Sequence, residues 1–372
     1  MIRTLASALA LTAAFWAPLP LTAQDASPSS SEVVGQTRAP ALAPGEIIAQ
    51  ARAEEWVAIP AEDLLVMTLA PDTDGNPRQV VIQLVPAPFS QGWVHNIRLF
   101  ARSGWYDGIS VNRVQDNYVT QWGDPNYDNP EATGEAKKLP EGLKVMGEAE
   151  YTASLDEWQN RNAERNRARQ DKEAAGLVLR PAETAPYPAW LSTDAYANNV
   201  NFYDGWPVAT VWRDSFPQQW WPVHCYGMVG VGRNYSPDTG SGAELYTVIG
   251  HAPRHLDRNI ALVGRVIEGM EHLSSLPRGK GELGFYAEDE FDKRTPILTV
   301  RVASDHAATD TASSSEAVGQ QTRPRFEYLS TEGETFARYA EARANRRDPF
   351  FIAPAGGADI CNIPVPVRRV AE

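Results

Sequence analysis

The stretch from Gly104 to Asp124 constrains this chain most, because it reads as a tight turn followed by two short strands. Asp107-Gly108 is a turn signal, since Gly accepts positive φ at no steric cost. Ile109, Val111 and Arg113 then alternate with Ser110, Asn112 and Val114, which is the period of a strand. A polar turn at Gln115-Asp116-Asn117 leads into a second strand with Val119 and Gln121 on one face. Pairing the two strands puts Arg113, Val119 and Gln121 on a common face. A cation, an apolar side chain and an amide suit an amide-bearing peptide better than a metal or a phosphate.

A chain of 372 residues can hold one large domain or two ordinary ones, and 43% hydrophobic residues can supply a core. Residues 1–23 read as a secretory signal, with Arg3, an apolar run from Leu5 to Leu21, and Leu21-Thr22-Ala23 as the cleavage site. Pro18 and Pro20 interrupt that run, and it is too short for a spanning helix. The mature chain is expected to be exported to a periplasm or beyond, with no membrane span after signal removal. The formal net charge of −13 argues against nucleic acid and against anionic lipid as partners. Its two cysteines, Cys225 and Cys361, form either one disulfide or two separate buried thiols. The six His show no ligand spacing, so no metal is expected.

Residues 24–45, rich in Ser, Ala and Pro, read as a flexible leader. A motif running from Ser29 to Arg38 recurs almost unchanged from Ser313 to Arg323. Two copies do not make a solenoid, so they are taken as duplicated linker at the domain edges. Glu46 to Trp56 suggests a short helix. Strands are expected at 64–69, 79–85, 228–232, 244–250, 261–267 and 296–302. Trp93, Val94, Ile97 and Phe100 recur at helical spacing up to a C-cap at Gly104, and a second short helix covers Glu268 to Leu276. This pattern predicts a mainly β fold, a closed barrel over 46–302, interrupted by a helical or irregular insert at about 125–222. Residues 303–372 form a linker and a C-terminal extension, with a helix over Glu332 to Arg346. The insert carries a charged helix within 147–175 and five Trp: Trp190, Trp206, Trp212, Trp220 and Trp221. Such a cluster either clamps the insert as a satellite core or stacks on sugars or peptides.

Four stretches together resemble the cyclophilin-type peptidyl-prolyl isomerases. They are Val94-x-Asn96-Ile97 with Phe100, the block from Gly104 to Val114, Tyr118-Val119-x-Gln121-x-Gly123-Asp124-Pro125, and the run from Leu256 to Met270. The resemblance spans roughly 63–302 and implies an eight-stranded antiparallel barrel with two capping helices. It also implies peptidyl-prolyl isomerase activity on proline-containing polypeptides, without a cofactor. Arg113 falls at the catalytic arginine of the family. Tyr118, Val119, Gln121, Tyr246 and Leu256 fall on its proline-pocket and peptide-contact positions, and Glu244, His255 and Ile260 on neighbouring substrate-facing ones.

This chain departs from the family there. Val111-Asn112 replaces Phe-His, Glu244 replaces a substrate-orienting Gln, His255 stands for a Trp and Ile260 for a His. These changes predict poor cyclosporin sensitivity and an altered site in which Glu244 pairs with Arg113. Two other readings compete with the isomerase: a catalytically weak binding module using the Trp-rich insert, and sugar binding by Trp206, Trp220 and Trp221. The oligomeric state is left open by the sequence.

Overall fold

The computed structural model describes residues 40–127, 129, 132–174, 194–213, 216–306 and 323–370. In chain order, α1 (Pro44–Ala49) precedes β1 (Trp56–Ala58), β2 (Leu64–Leu69), β3 (Arg78–Leu84), α2 (Gln91–Arg102), β4 (Ser110–Val114) and β5 (Val119–Gly123). Next come β6 (Ala153–Ser154), α3 (Leu155–Ala174), β7 (Asn199–Tyr203), β8 (Trp206–Arg213) and β9 (Phe216–Pro222). The remainder is β10 (Met228–Val231), β11 (Leu245–Val248), β12 (Leu262–Glu268), α4 (Glu271–Ser274), β13 (Ile297–Val302), β14 (Phe326–Leu329), α5 (Glu334–Ala344) and β15 (Val367–Arg369).

Eight antiparallel strands form a nearly closed barrel in the order β13-β2-β3-β12-β10-β11-β5-β4. The last gap is bridged where Gly108 and Val111 donate to Ile297 and Thr295 carbonyls and Ile297 donates to Ile109. This is the mainly β barrel expected from the strand spacing, and its strands lie within a residue or three of their expected bounds. Near-closure leaves the barrel itself little open edge for another strand to pair with. Alternation along β2 and β3 turns Leu65, Met67, Leu69, Val80, Ile82 and Leu84 into the main core. The opposite face carries Leu64, Val66 and Val81, which pack with Ile59, Ala303 and Phe326 instead of meeting water. That second layer explains why β2 reads as a continuous apolar run.

Helix α2 caps the barrel with Trp93, Val94, Ile97 and Phe100, all 0% exposed, as their spacing required. Gly104 ends it at φ +66°. The second capping helix is shorter than expected, a single turn at α4. Trp56, expected in a helix, starts β1, which pairs with β14, and β14 pairs with β15. Hydrogen bonding to the distant extension overrides the local helical preference.

The insert is more ordered than a helical or irregular segment. Besides α3 it holds a four-stranded antiparallel sheet in the order β6-β9-β8-β7. Trp206, Trp220 and Trp221 are 0%, 1% and 1% exposed and belong to the same core as the barrel. Their burial excludes sugar stacking on these three rings and supports the clamp. Trp190 lies outside the described residues, as do residues 1–39 with the signal and most of the leader. The duplicated linker, Arg323 apart, lies outside them too. The extension reaches the same core through Phe336, whose ring meets Phe202 of β7 at 4.9 Å. Cys225, before β10, and Cys361, in the extension, are joined in a disulfide across 136 residues. Among the described residues, no helix is long and apolar enough to cross a membrane.

Trp206 packs beneath the buried Arg265 guanidinium, 4.5 Å from its ring centre. Trp206→Ala is expected to cost about 3–5 kcal/mol, read as a lower midpoint in urea unfolding. A surface-bound sugar platform would instead tolerate this change.

Candidate functional site

The site grows from the β4–β5 hairpin. Asn117 takes the left-handed conformation at its tip, φ 51°, which Asn tolerates better than most residues. Arg113 pairs in register with Gln121, and the register shifts between Val111 and Arg113. A bulge of this kind lets one strand turn consecutive side chains to new faces. Strict alternation would place Val111 beside Arg113. The bulge instead lets Val111 and Val114 both enter the core while Arg113 stays outside, facing a groove.

That groove has a volume of about 610 Å³ and lies on the outer barrel wall. Arg113, Tyr118, Val119, Gln121, Glu244, Tyr246, Leu256 and Ile260 all line it, so eight of the nine expected site residues converge. The ninth, His255, is exposed at the rim, its ring parallel to that of Tyr118 at 6.3 Å. Val119 and Tyr246, packed over the fully buried Val248, form an apolar wall of the groove with Tyr118, Leu256 and Ile260. These side chains are brought side by side by β5 and β11, where Tyr246 pairs with Gln121 and Val248 with Val119. An apolar wall of this kind suits a small ring without polar atoms.

Beside the pocket the Arg113 guanidinium is held by neutral oxygens. Nε donates to the Leu283 carbonyl at 2.7 Å, and Nη1 to the Gln121 amide oxygen at 3.0 Å. Nη2 donates to the Gln115 side-chain oxygen. A guanidinium has five N–H groups, so after these three contacts with described residues one on each terminal nitrogen remains for a ligand. Tyr118 and Phe285 flank it at 5.7 and 5.5 Å. Burial pushes the Arg113 pKa below its usual value, opposed by the nearby Tyr118 and by Glu244.

Glu244 reaches this cation through Gln121, not by the direct pairing the sequence suggested. The Gln121 amide donates to the Glu244 carboxylate at 2.8 Å while its oxygen accepts from Arg113. Packing explains the placement. A Cβ on Gly232 would lie 2.9 Å from the Glu244 Cβ, and one on Gly123 2.9 Å from its Cγ. Glu244 therefore sits in a slot between two glycines, aimed at Gln121.

Several groove residues were not anticipated from sequence. The turn at Leu283-Gly284-Phe285 supplies the carbonyl under Arg113 and one flanking ring. The only sequence signal was the spaced glycines Gly279, Gly281 and Gly284. Asn126, Asn129 and Ala132 of the insert and Arg233, Asn234 and Tyr235 after β10 extend the groove beyond the pocket. Gln115 was assigned only to a turn.

A family model for cyclophilin type peptidyl-prolyl cis-trans isomerase matches residues 73–302. No curated protein matches the chain. Among solved structures, cyclophilin AquaCyp293 from Hirschia baltica is similar in fold. It is 20% identical with a TM-score of 0.55, over 84% of this chain and 93% of that one. A cyclophilin type isomerase from Cryptosporidium parvum is 11% identical, with a TM-score of 0.34, over 64% of this chain and 96% of that one.

Gly284 holds φ +85°, and an added Cβ would sit 2.8 Å from the Gln115 Cα. Gly284→Ala is expected to cost about 1–3 kcal/mol in backbone strain. It should also loosen Arg113, because both Leu283 and Gln115 shift. Thermal unfolding together with ligand affinity checks this; unchanged values in both would contradict it.

Proposed function

The chain belongs to the cyclophilin-type peptidyl-prolyl cis-trans isomerases, and from that membership we propose an exported enzyme that speeds prolyl-limited folding, with Arg113 as its catalytic residue. The X–Pro bond turns slowly because rotation gives up amide resonance, against a barrier of about 18–20 kcal/mol. As the bond twists, the prolyl nitrogen recovers its lone pair. The apolar wall of Val119, Tyr246 and Leu256 would hold the proline ring, while the remaining N–H groups of Arg113 would donate towards that nitrogen. Such a contact is stronger in the twisted state than in the planar one, which is how binding energy becomes rate. Gln121, fixed between Arg113 and Glu244, would grip the substrate backbone.

The observation that carries this reading is a half-buried guanidinium, poised on neutral oxygens, beside an apolar wall of the same groove. Export is supported by the apolar N-terminal stretch and by the Cys225–Cys361 disulfide, a bond typical of oxidising compartments. The binding-module alternative leaned on tryptophans of the insert, and three of these are buried in the core.

Arg113→Ala is expected to lower kcat/KM on a proline peptide by about 10²-fold. Arg113→Lys should recover little, because an ammonium lacks the planar fork that spans Leu283, Gln121 and Gln115. A protease-coupled or NMR exchange assay decides; equal background rates for wild type and Arg113→Ala would sink the isomerase reading. Cyclosporin is expected to inhibit poorly, with His255→Trp increasing sensitivity in the same assay. Cell fractionation tests export, and retention of the protein in the cytoplasm would refute it.

A further inference from the structure

Behind the pocket wall, buried polar side chains run in an unbroken chain from the insert to Tyr246. The Tyr246 hydroxyl lies 3.1 Å from Nε2 of His224, whose Nδ1 lies 2.9 Å from Asp257 Oδ1. The other Asp257 oxygen accepts from Arg254 Nε at 2.8 Å. Arg254 completes a two-pronged pair with Asp194 of the insert, at 2.7 and 3.0 Å. Asp359 of the extension stands 3.9 Å from the same guanidinium. His224, Arg254, Asp257 and Tyr246 are 1%, 4%, 4% and 4% exposed, so water cannot substitute for a lost partner.

The protonation pattern follows from the partners. Burial pushes the Asp257 carboxyl up, but the His224 and Arg254 contacts outweigh it and hold the pKa below its ordinary value. An ionised Asp257 only accepts, so Nδ1 of His224 carries the shared proton, and in the neutral ring Nε2 accepts from Tyr246. The Tyr246 hydroxyl is thereby given one direction. The ring crosses β10 at Gly230, where a Cβ would lie 2.2 Å from the hydroxyl oxygen. Tyr246 is thus located by a glycine on one side and a hydrogen bond at its tip.

We infer that Asp194, Arg254, Asp257 and His224 are positioning residues that fix the Tyr246 wall of the proline pocket, so that the insert takes part in substrate binding. This rests on the pocket assignment proposed above. It gives the insert a role at the site that does not require its tryptophans to be exposed. Only Asp194 lies in the insert, about sixty residues before its partner in sequence and beside it in space.

The test uses the full chain with Asp194→Ala, Asp194→Asn and Tyr246→Phe. NMR reads the His224 imidazole nitrogens and the Tyr246 ring in the free protein, and a titration gives the Kd of an Ala-Pro peptide. Asp194→Ala should move both sets of resonances. Asp194→Ala and Tyr246→Phe should each weaken the peptide by about three- to tenfold, the scale of one hydrogen bond. For Asp194→Ala the loss should fall on KM, with kcat within about twofold, since uniform binding is what is lost. Asp194→Asn, which keeps the shape, should recover much of the affinity. Unmoved Tyr246 resonances in Asp194→Ala overturn the inference. So does wild-type affinity in Tyr246→Phe, a variant that keeps the ring and needs no refolding of the insert. The ring resonances are read without peptide, so absent isomerase activity in the wild type would refute the enzyme reading alone.

Discussion

A guanidinium half out of water must be held by something, and in this protein it is held by neutral oxygens. Leu283, Gln121 and Gln115 each accept from Arg113, and the Glu244 carboxylate is linked to it through an amide. A carboxylate bonded directly to Arg113 would satisfy the cation and compete with any weak acceptor such as an amide nitrogen. Carbonyl and amide partners orient the group while leaving its charge available. Much of the surrounding architecture serves this arrangement. The β4 bulge turns Arg113 outward, the turn at Gly284 brings up the Leu283 carbonyl, and two glycines make the slot for Glu244.

The same logic separates this chain from the pattern its motifs resemble. A Glu in place of a Gln beside Arg113 reads in sequence as an altered site. In the fold, its carboxylate locks the Gln121 amide so that the oxygen faces Arg113. The amide of Gln121 has one donor end and one acceptor end, and Glu244 and Arg113 occupy one each. The change therefore alters the electrostatics of the groove without displacing the cation.

The insert and the extension share one hydrophobic core with the barrel. Trp206, Trp220 and Trp221 join the main core, Phe336 meets Phe202, and the disulfide ties the extension beside His224. Large aromatic surfaces like these are a strong reason for added segments to stay docked. Once docked, they bring Asp194 and Asp359 to Arg254, and through it to the wall of the pocket.

Local pattern by itself determined much of this protein. The two-residue period of β2, β3, β4 and β5, the helical spacing of Trp93, Val94, Ile97 and Phe100, and the turn at Asp107-Gly108 depend on nearest neighbours, and so they were legible. The convergence of Arg113, Tyr118, Val119, Gln121, Tyr246 and Leu256 was also legible, but only through the resemblance of their short motifs to a known family. Only the tertiary structure decided the rest. A bulge has no period, so Val111 was placed on the wrong face. The partners of Arg113 at Leu283 and of Arg254 at Asp194 lie far away along the chain. The fate of the tryptophans depended on what packs over them, since an indole that stacks on a ligand and one that fills a core read alike until burial distinguishes them.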